Sequence, residues 1–352
     1  MKATAQLHDL GQSLWLDDIT RELLDSGTLQ RYIDELSVTG LTSNPSIFDH
    51  AITHSDKYDD DIRRHRKGGL SGEALFFELA LADLRRAADM FLPVYQRTRG
   101  VDGWVSLEVS PKLAYDTAAT IAEAKRLHDK GEKPNLFIKI PGTAAGLPAI
   151  EESIFAGVSV NVTLLFSRAG YLAAADAYMA GLERRIAAGL PPDSSSVASV
   201  FISRWDRAVV DKVPEKLRNH LGVAIGQQAY KAYRDLLDSD RWQRLAQFGA
   251  RPQRLLFAST SMKDPKSPDT LYISAFAAPN TINTMPDATL RAFADHGEAG
   301  ALARDGGDCE QVIAAHQRNG IDVEALATKL QVDGAKAFVD SWQDLLGAIE
   351  KK

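Results

Sequence analysis

Short apolar runs alternate with longer amphipathic segments along the whole chain. Eight runs have the length and the β-branched or aromatic character of strands, at residues 13–19, 40–46, 104–110, 135–141, 159–166, 196–203, 254–260 and 279–286. Segments with helical periodicity fill most of the intervals between them. Because strands that alternate with helices form parallel sheets covered by helices, the pattern predicts an α/β fold.

Several helical segments have recognisable ends. Ser71 is a candidate N-cap for a helix over 72–95, and the segment 110–131 has a Ser110 cap and a Gly131 stop. No composition break or linker divides the chain, so eight strands predict a closed (β/α)8 TIM barrel. That fold typically needs roughly 250 residues, which leaves room for additional helices. We expect a single domain over 1–352, with a C-terminal helix at about 322–350 packed on the barrel.

The alternation within the runs predicts which side chains enter the barrel, because successive side chains of a strand point to opposite faces. The side chains expected against the helices are Leu14, Leu16, Leu41, Ser43, Val105, Leu107, Val109, Leu136, Ile138, Ile140, Val160, Val162, Leu164, Ala198, Val200 and Ile202. Those expected inside are Asp17, Thr42, Asn44, Ser106, Glu108, Ser110, Asn135, Phe137, Lys139, Ser159, Asn161, Thr163, Ser199, Phe201 and Ser203. Polar groups at the C-terminal ends of barrel strands indicate an active site.

Lys139 is the least expected member of the inner set, because a buried ammonium is unfavourable unless it is paired or neutralised. Taken alone, the run fits an edge strand or a lysine that extends to water. The barrel pattern instead directs Lys139 toward Glu108 and Asp17. Enclosed catalytic lysines have pKa values of about 7–8, and the free amine attacks carbonyl carbons to form a Schiff base.

Structural interpretations of the same residues stay open. Asp17 or Asp18 can cap a helix or pair with Arg21, and Glu108 can be a purely structural ion-pair partner. Asn44, before Pro45, fits a turn. His50 and His54 have the spacing of a metal pair, but no third ligand is evident, and a solvated helix face is expected there. The charged run at 55–67 is also expected to be solvated.

Charge and cysteine content limit which classes of partner and which cellular compartment we expect. A formal net charge of −6 and a pI near 5.8 argue against nucleic acid and membrane surfaces as partners. Cys309 is the only cysteine, which excludes an intrachain disulfide framework and suits a reducing cytoplasm. The N-terminus lacks the apolar region of a secretory signal, so we expect a cytoplasmic protein without a membrane segment. We expect a monomer or a homodimer.

The motifs LWLDDI, GLTSNPSIF, VSLEVSP, NLFIKIPGT, GVSVNVTLLFS, VASVFISRWD, FASTSMKDP and APNTINTMP occur in this order along nearly the whole chain. Together they resemble the transaldolase family of class I Schiff-base aldolases in the pentose phosphate pathway. The resemblance implies transfer of a dihydroxyacetone unit from sedoheptulose 7-phosphate to glyceraldehyde 3-phosphate. Erythrose 4-phosphate and fructose 6-phosphate would be the products, with no cofactor and no metal.

The resemblance also implies roles for individual residues. Lys139 would form the Schiff base, Asp17 and Glu108 would transfer protons, and Thr163 would hold the catalytic water with Glu108. The residues implied in substrate binding are Asn44, Asn161, Ser199, Phe201, Arg204, Ser259 and Lys263. Many family members have a Ser-x-Arg stretch after the seventh strand, where this chain reads ASTSMKD, so the phosphate contacts there differ in type.

Two other functions remain as alternatives. Fructose 6-phosphate aldolase has the same lysine but carries Gln and Tyr at the positions matching Glu108 and Phe201, and its chains are much shorter. A non-catalytic barrel that binds sugar phosphate is the second alternative. It has no need for an amine beside two carboxylates, whereas Lys139, Asp17 and Glu108 are all present here.

Overall fold

Eight parallel strands form a closed barrel in chain order in the computed structural model, which describes residues 2–352. The strands are β1 (Ser13–Asp17), β2 (Val38–Thr42), β3 (Val105–Glu108), β4 (Leu136–Pro141), β5 (Val160–Leu165), β6 (Ser196–Phe201), β7 (Arg254–Ala258) and β8 (Ile282–Met285). Strand β8 pairs with β1 and completes the closure. The predicted (β/α)8 TIM barrel is therefore confirmed.

Sixteen α-helices surround the barrel within the described residues. They are α1 (Ala3–Leu10), α2 (Arg21–Asp25), α3 (Thr28–Leu36), α4 (Pro45–Thr53), α5 (Asp59–Lys67), α6 (Gly72–Arg97), α7 (Thr117–Gly131), α8 (Gly146–Phe155), α9 (Arg168–Ala187), α10 (Ser203–Val209), α11 (Leu221–Leu237), α12 (Asp240–Gln247), α13 (Leu271–Ala275), α14 (Asp287–His296), α15 (Cys309–Arg318) and α16 (Val323–Lys351). None of these helices combines the length and the apolar character that crossing a bilayer requires.

The predicted strands were too long. Ser110, Asn135, Ser159 and Ser203 lie outside the strands, and Ser203 is the first residue of α10. The amide of Asn135 bonds the carbonyl oxygens of Ala88 on α6 and of Gly103, at 2.9 and 2.8 Å, so its predicted place among the barrel-facing strand positions was wrong. Alternation predicts which face a side chain takes only within the hydrogen-bonded part of a strand. Asn135 and Ser159 precede their strands, and Ser110 and Ser203 follow theirs.

Alternation also fails inside β5. The pairing of β5 with β6 shifts between Val162 and Leu165, and Leu164 has a left-handed backbone with φ of 59°. This extra residue reverses the faces of the side chains after it. Leu165 packs with Val160 and Val162 in the outer core, the apolar layer between the strands and the helices. Leu164 packs instead in a second apolar cluster, which contains Phe166. The prediction that Leu164 faces the helices was wrong for this reason.

The helix predicted to start from a Ser110 cap begins later in the structure. Helix α7 begins at Thr117, and its cap is Asp116, whose carboxylate accepts the Ala119 N–H at 2.9 Å. Ser110 is not the cap, because a short 3-10 turn starts at Pro111. Helix α7 ends at Gly131 as predicted, but the residue with the left-handed backbone that follows is Glu132, with φ of 54°. Ser71 occupies the N-cap position of α6 without a side-chain capping bond.

Helices α4, α5 and α6 fill the long connection between β2 and β3. Arg21 forms ion pairs there, with Asp61 at 2.8 Å and with the buried Asp83 at 3.0 Å. Pairing of Arg21 with Asp17 or Asp18 was therefore a wrong alternative. Helix α2 is capped by the Thr20 hydroxyl, which accepts the Leu23 N–H at 3.0 Å, so neither aspartate is needed as its cap.

Helix α16 lies against α4, α6 and the end of β5, at the C-terminal end of the barrel. The Gln331 amide fixes it there by donating to the carbonyl oxygens of Gly142 at 3.1 Å and Leu164 at 3.0 Å. The far end is held by Lys352, whose ammonium is 2.7 Å from Asp59 of α5. The helix is thus held in its first half by the ends of β4 and β5 and just beyond its last residue by α5.

Near its N-terminal end, the barrel interior holds a tryptophan packed against a glycine. Trp15 lies opposite Gly40, and its indole N–H donates to Asp102 at 2.8 Å. Ser13 bonds the same carboxylate, and Arg254 donates to Ser13 at 2.6 Å. Polar contacts at this end of a barrel serve stability rather than catalysis.

We predict that Gly40→Ala destabilises the protein. A Cβ at residue 40 would lie 2.5 Å from the Trp15 indole nitrogen, and the ring is buried, with its N–H bonded to Asp102. Overpacking of this kind lowers the free energy of unfolding by about 1–3 kcal/mol, which chemical denaturation measures. Gly347→Ala is the matched control, because no atom lies within 4 Å of a Cβ there. Equal stability of the two variants would contradict the packing argument.

Candidate active site

A cavity of about 190 Å³ opens at the C-terminal ends of the barrel strands. Its walls come from β1, β2, β4, β5, β6, β7 and β8, the loops after them, and α16. The lining residues are Asp17, Thr42, Asn44, Ser46, Lys139, Thr163, Ser199, Phe201, Arg204, Ala258, Ser259, Ser261, Lys263, Thr284, Pro286 and Phe338. This is the end of the barrel at which enzymes of this fold carry out chemistry.

Lys139 lies on a strand between two others and is 5% exposed, so the edge-strand interpretation was wrong. Its ammonium donates to the Ser43 carbonyl oxygen at 2.9 Å and lies 3.1 Å from Glu108 Oε2. Register places Glu108 directly beside it on β3. The amine is therefore held in one position at the cavity by a carbonyl and a carboxylate.

Glu108 is a desolvated carboxylate. Neither of its oxygens receives a well-directed hydrogen bond, although the ion-pair distance to Lys139 is short. Burial raises the pKa of Glu108, whereas the charge of Lys139 lowers it. Glu108 does not itself line the cavity. A carboxylate with raised pKa and free lone pairs is suited to proton transfer at neutral pH.

Asp17 supplies the second carboxylate, on β1. The Thr42 hydroxyl donates to its Oδ1 at 2.7 Å, and Thr42 is in turn 2.7 Å from the Thr284 hydroxyl. Burial raises the pKa of Asp17, and Lys139 and the Thr42 hydrogen bond lower it. Thr42 was predicted to face the interior but was not recognised as a site residue. No pattern in the sequence around Thr284 indicated that it belongs to the site.

The neighbouring carboxyl of Asp18 is also perturbed. Burial, followed by the charges of Asp17 and Asp287, raises the pKa of Asp18 to about 6. Asp18 does not line the cavity. It contributes a second titrating group close to Asp17.

Thr163 and Asn161 come from β5 but lie at different depths. The Thr163 hydroxyl is buried at the cavity wall and has no hydrogen-bond partner within residues 2–352. The Asn161 side chain does not line the cavity. Its amide donates to Ser106 at 3.1 Å, and its oxygen accepts from Ser199 at 2.7 Å. Ser199 does reach the cavity, so Asn161 supports it from below.

Arg204, in the first turn of α10, is a half-buried cation at the cavity. It has no ion-pair partner among the described residues, and its guanidinium carbon lies 5.0 Å from the centre of the Phe201 ring. Burial lowers the pKa of Arg204, and Glu108 raises it. A desolvated guanidinium without a carboxylate partner is available for a bidentate anion such as phosphate.

The loop after β7 contributes further donors beside Arg204. The Ser259 hydroxyl is 2.9 Å from that of Ser203, and Lys263 donates to Ser261 at 3.0 Å. Ser259, Ser261 and Lys263 all line the cavity, and Ser261 was not predicted. Lys139, Arg204 and Lys263 place three basic side chains on the cavity lining against one lining carboxylate, Asp17, which favours an anionic ligand.

Asn44 begins a helix rather than a simple turn. Its side-chain oxygen accepts the Ile47 N–H at 3.2 Å and so caps α4, with Pro45 in the first helical position. The same oxygen accepts from Ser46 at 2.6 Å. Its amide group lies at the cavity, so the cap also positions a donor for a ligand.

The C-terminal helix contributes a residue that sequence reasoning missed. Phe338 of α16 lines the cavity although about 200 residues separate it in the chain from Lys139. Its position depends on how α16 packs over the barrel, for which no local pattern gives a signal.

The two histidines considered for a metal lie on the surface of α4. The rings of His50 and His54 stack with centres 4.4 Å apart. Within residues 2–352, no group of three histidine, cysteine, aspartate or glutamate side chains is arranged to hold a metal ion. The charged run at 55–67 includes α5, and none of its charged side chains is buried, although Tyr58 and Ile62 within it are fully buried.

Comparison with known proteins gives one consistent result. The family model described as Transaldolase/Fructose-6-phosphate aldolase matches residues 14–349. A protein of Frankia alni named Transaldolase is 46% identical over 99% of this chain and 96% of its own length. Proteins of the same name from Parafrankia and Thiobacillus denitrificans are 44% and 43% identical, with 98% and 100% of their lengths covered. The chain belongs to the transaldolase/fructose-6-phosphate aldolase family.

Proposed function

We propose that this protein is a transaldolase that moves a dihydroxyacetone unit from sedoheptulose 7-phosphate to glyceraldehyde 3-phosphate through a Schiff base on Lys139. The observation that carries the proposal is a lysine amine held 3.1 Å from a buried carboxylate at the catalytic end of the barrel. The reaction is reversible, and erythrose 4-phosphate and fructose 6-phosphate are its products. We also propose that the enzyme works in the cytoplasm, where its one buried cysteine, Cys309, stays reduced.

Substrate binding follows from the charges around the cavity. Arg204 and Lys263 receive the phosphate, with the Ser259 hydroxyl as a further donor. The amide of Asn44 and the Ser199 hydroxyl, supported by Asn161, bind the donor's hydroxyl groups. Phe201 packs on the Arg204 guanidinium and keeps it aimed into the cavity. The bound ketose then has its carbonyl carbon near Lys139.

Bond formation begins when the free amine of Lys139 adds to that carbonyl carbon. Loss of water gives an iminium ion, with Glu108 exchanging protons through a water held by Thr163. Asp17 then removes the proton of the substrate hydroxyl next to the bond that breaks. The iminium accepts the electron pair of the broken C–C bond, and erythrose 4-phosphate leaves as the aldehyde. The resulting three-carbon enamine attacks the carbonyl carbon of glyceraldehyde 3-phosphate, and the new alkoxide takes the proton back from Asp17. Water then hydrolyses the product iminium, which frees fructose 6-phosphate and Lys139.

Both alternative functions are disfavoured. The relatives from Parafrankia, Frankia alni and Thiobacillus denitrificans carry the name Transaldolase and match this chain over its full length, whereas fructose 6-phosphate aldolases are much shorter. Glu108 and Phe201 are also the residue types that the resemblance associates with transfer. A barrel that only binds sugar phosphate does not require a lysine and two carboxylates at one cavity.

We predict that Lys139→Ala abolishes transfer, because no other described lysine has a buried amine beside Glu108. The assay follows erythrose 4-phosphate formed from sedoheptulose 7-phosphate and glyceraldehyde 3-phosphate. Circular dichroism checks that the barrel remains folded. Lys263→Ala is the control at the same cavity and retains turnover with a raised KM. Wild-type activity in Lys139→Ala would refute the proposal.

We predict that kcat declines at acidic pH with an apparent pKa above about 4.3, the value of an exposed glutamate. The reason is that burial raises the pKa of Glu108. Glu108 must be ionised to accept a proton, so activity falls as pH falls through this raised value. Glu108→Gln lowers kcat by about 100-fold or more and removes the acidic decline. Asp18→Asn tests the other carboxyl group whose pKa is raised. Loss of the acidic decline in kcat in Asp18→Asn, but not in Glu108→Gln, would show that Glu108 is not the group responsible.

We predict that Gly334→Ala weakens binding of phosphorylated donors. A Cβ at residue 334 of α16 would lie 2.8 Å from the Arg204 Nη1, so the guanidinium, the far end of a flexible side chain, must move. KM for sedoheptulose 7-phosphate rises by about tenfold, an effect of ~1.4 kcal/mol. Gly347→Ala, the same substitution where no atom lies within 4 Å, leaves KM unchanged. Equal KM values for the two variants would contradict phosphate binding by Arg204.

A further inference from the structure

Helix α16 brings an aromatic wall to the active-site cavity. Phe338 is 6% exposed and belongs to an apolar cluster with Leu164, Phe166 and Phe201. Two contacts anchor the chain on either side of Phe338: Gln331 bonds the ends of β4 and β5, and Lys352 bonds Asp59 of α5. The ring is therefore held in place by the packing of a whole helix.

The Phe338 ring lies near Lys139 and Arg204, the proposed Schiff-base lysine and the proposed phosphate-binding arginine. The centre of its ring lies 5.9 Å from Lys139 Nζ and 5.8 Å from the Arg204 guanidinium carbon. Lys139 has polar neighbours in Glu108 and the Ser43 carbonyl. The Phe338 ring thus forms an apolar side of the space around an otherwise polar amine.

That apolar side matters because the lysine-bound intermediate has two fates. In transfer, the enamine carbon attacks the acceptor aldehyde. In release, the same carbon takes a proton from solvent or a carboxylic acid, and the enamine becomes an iminium. Water then adds its oxygen to the iminium carbon and loses a proton to Glu108. Glu108 returns this proton to nitrogen, and the C–N bond breaks with its electrons remaining on nitrogen. The proton of the carbinolamine hydroxyl goes to the amine, so that free dihydroxyacetone and a protonated Lys139 remain.

Both routes end when water hydrolyses an iminium, on dihydroxyacetone in release and on the new ketose in transfer. Only release first needs a proton on the enamine carbon, whereas in transfer that carbon bonds the acceptor. An apolar wall that keeps proton-donating water from the enamine carbon therefore slows release more than transfer. We propose that Phe338 is a specificity-determining residue, which commits the three-carbon intermediate on Lys139 to transfer by keeping proton donors from its nucleophilic carbon. This inference rests on the proposed Schiff-base function. It adds a residue from the C-terminal helix to the determinants of transfer over aldol release.

The test measures the partition of the intermediate in Phe338→Ala. One assay follows dihydroxyacetone released from fructose 6-phosphate without an acceptor. The other follows transfer with erythrose 4-phosphate present. We expect the ratio of release to transfer to rise by about tenfold in Phe338→Ala. Phe338→Leu keeps an apolar side chain of similar length and is expected to stay within about threefold of wild type.

Leu345→Ala separates this role from simple loss of helix packing. Leu345 lies two turns further along α16, is fully buried, packs in the outer core and does not line the cavity. Its removal destabilises the helix without opening the site, so its partition ratio stays at the wild-type value. A ratio that rises equally in Leu345→Ala and Phe338→Ala would overturn the inference, and so would an unchanged ratio in Phe338→Ala.

The two proposals fail in different ways. Absence of transfer by the wild-type protein would refute the proposed function itself. Transfer by the wild type, together with the same partition in Phe338→Ala, would refute only the role of Phe338.

Discussion

The contact between Lys139 and Glu108 is the interaction on which the rest of the site depends. Two opposite charges lie 3.1 Å apart inside a closed barrel, where each alone would be strongly unfavourable. Their attraction keeps the amine next to its proton carrier. The Ser43 carbonyl oxygen accepts a second hydrogen bond from the same ammonium, and the Thr42 hydroxyl separately holds Asp17, the other carboxylate of the site.

Barrel closure provides the geometry for this pair. Parallel pairing in register places Glu108 of β3 and Lys139 of β4 side by side, and Asn161 beside Lys139 on β5. The opposite end of the barrel is filled by Trp15 and the polar contacts of Asp102, which leave the catalytic end free to form a cavity. Helix α16 then closes one side of that cavity with an aromatic residue. Stability and chemistry are thus divided between the two ends of the same strands.

Much of this arrangement could be predicted from sequence because it depends on local periodicity. Alternation along β3 and β4 was sufficient to direct Glu108 and Lys139 to one interior. The same rule failed at Leu164, where one residue in a left-handed conformation changes the face, and at Asn135, which precedes its strand. Local periodicity carried no signal for Phe338, because its contact depends on the packing of a distant helix.

The mechanism requires a covalent bond between the substrate carbonyl carbon and Lys139, which borohydride reduction followed by peptide mass spectrometry detects. The protein is mixed with fructose 6-phosphate, reduced and digested. We predict that the peptide containing Lys139 gains the mass of a reduced substrate-derived adduct and that fragmentation places it on this residue. An unmodified Lys139 peptide, or an adduct confined to another lysine, would refute Schiff-base catalysis by Lys139.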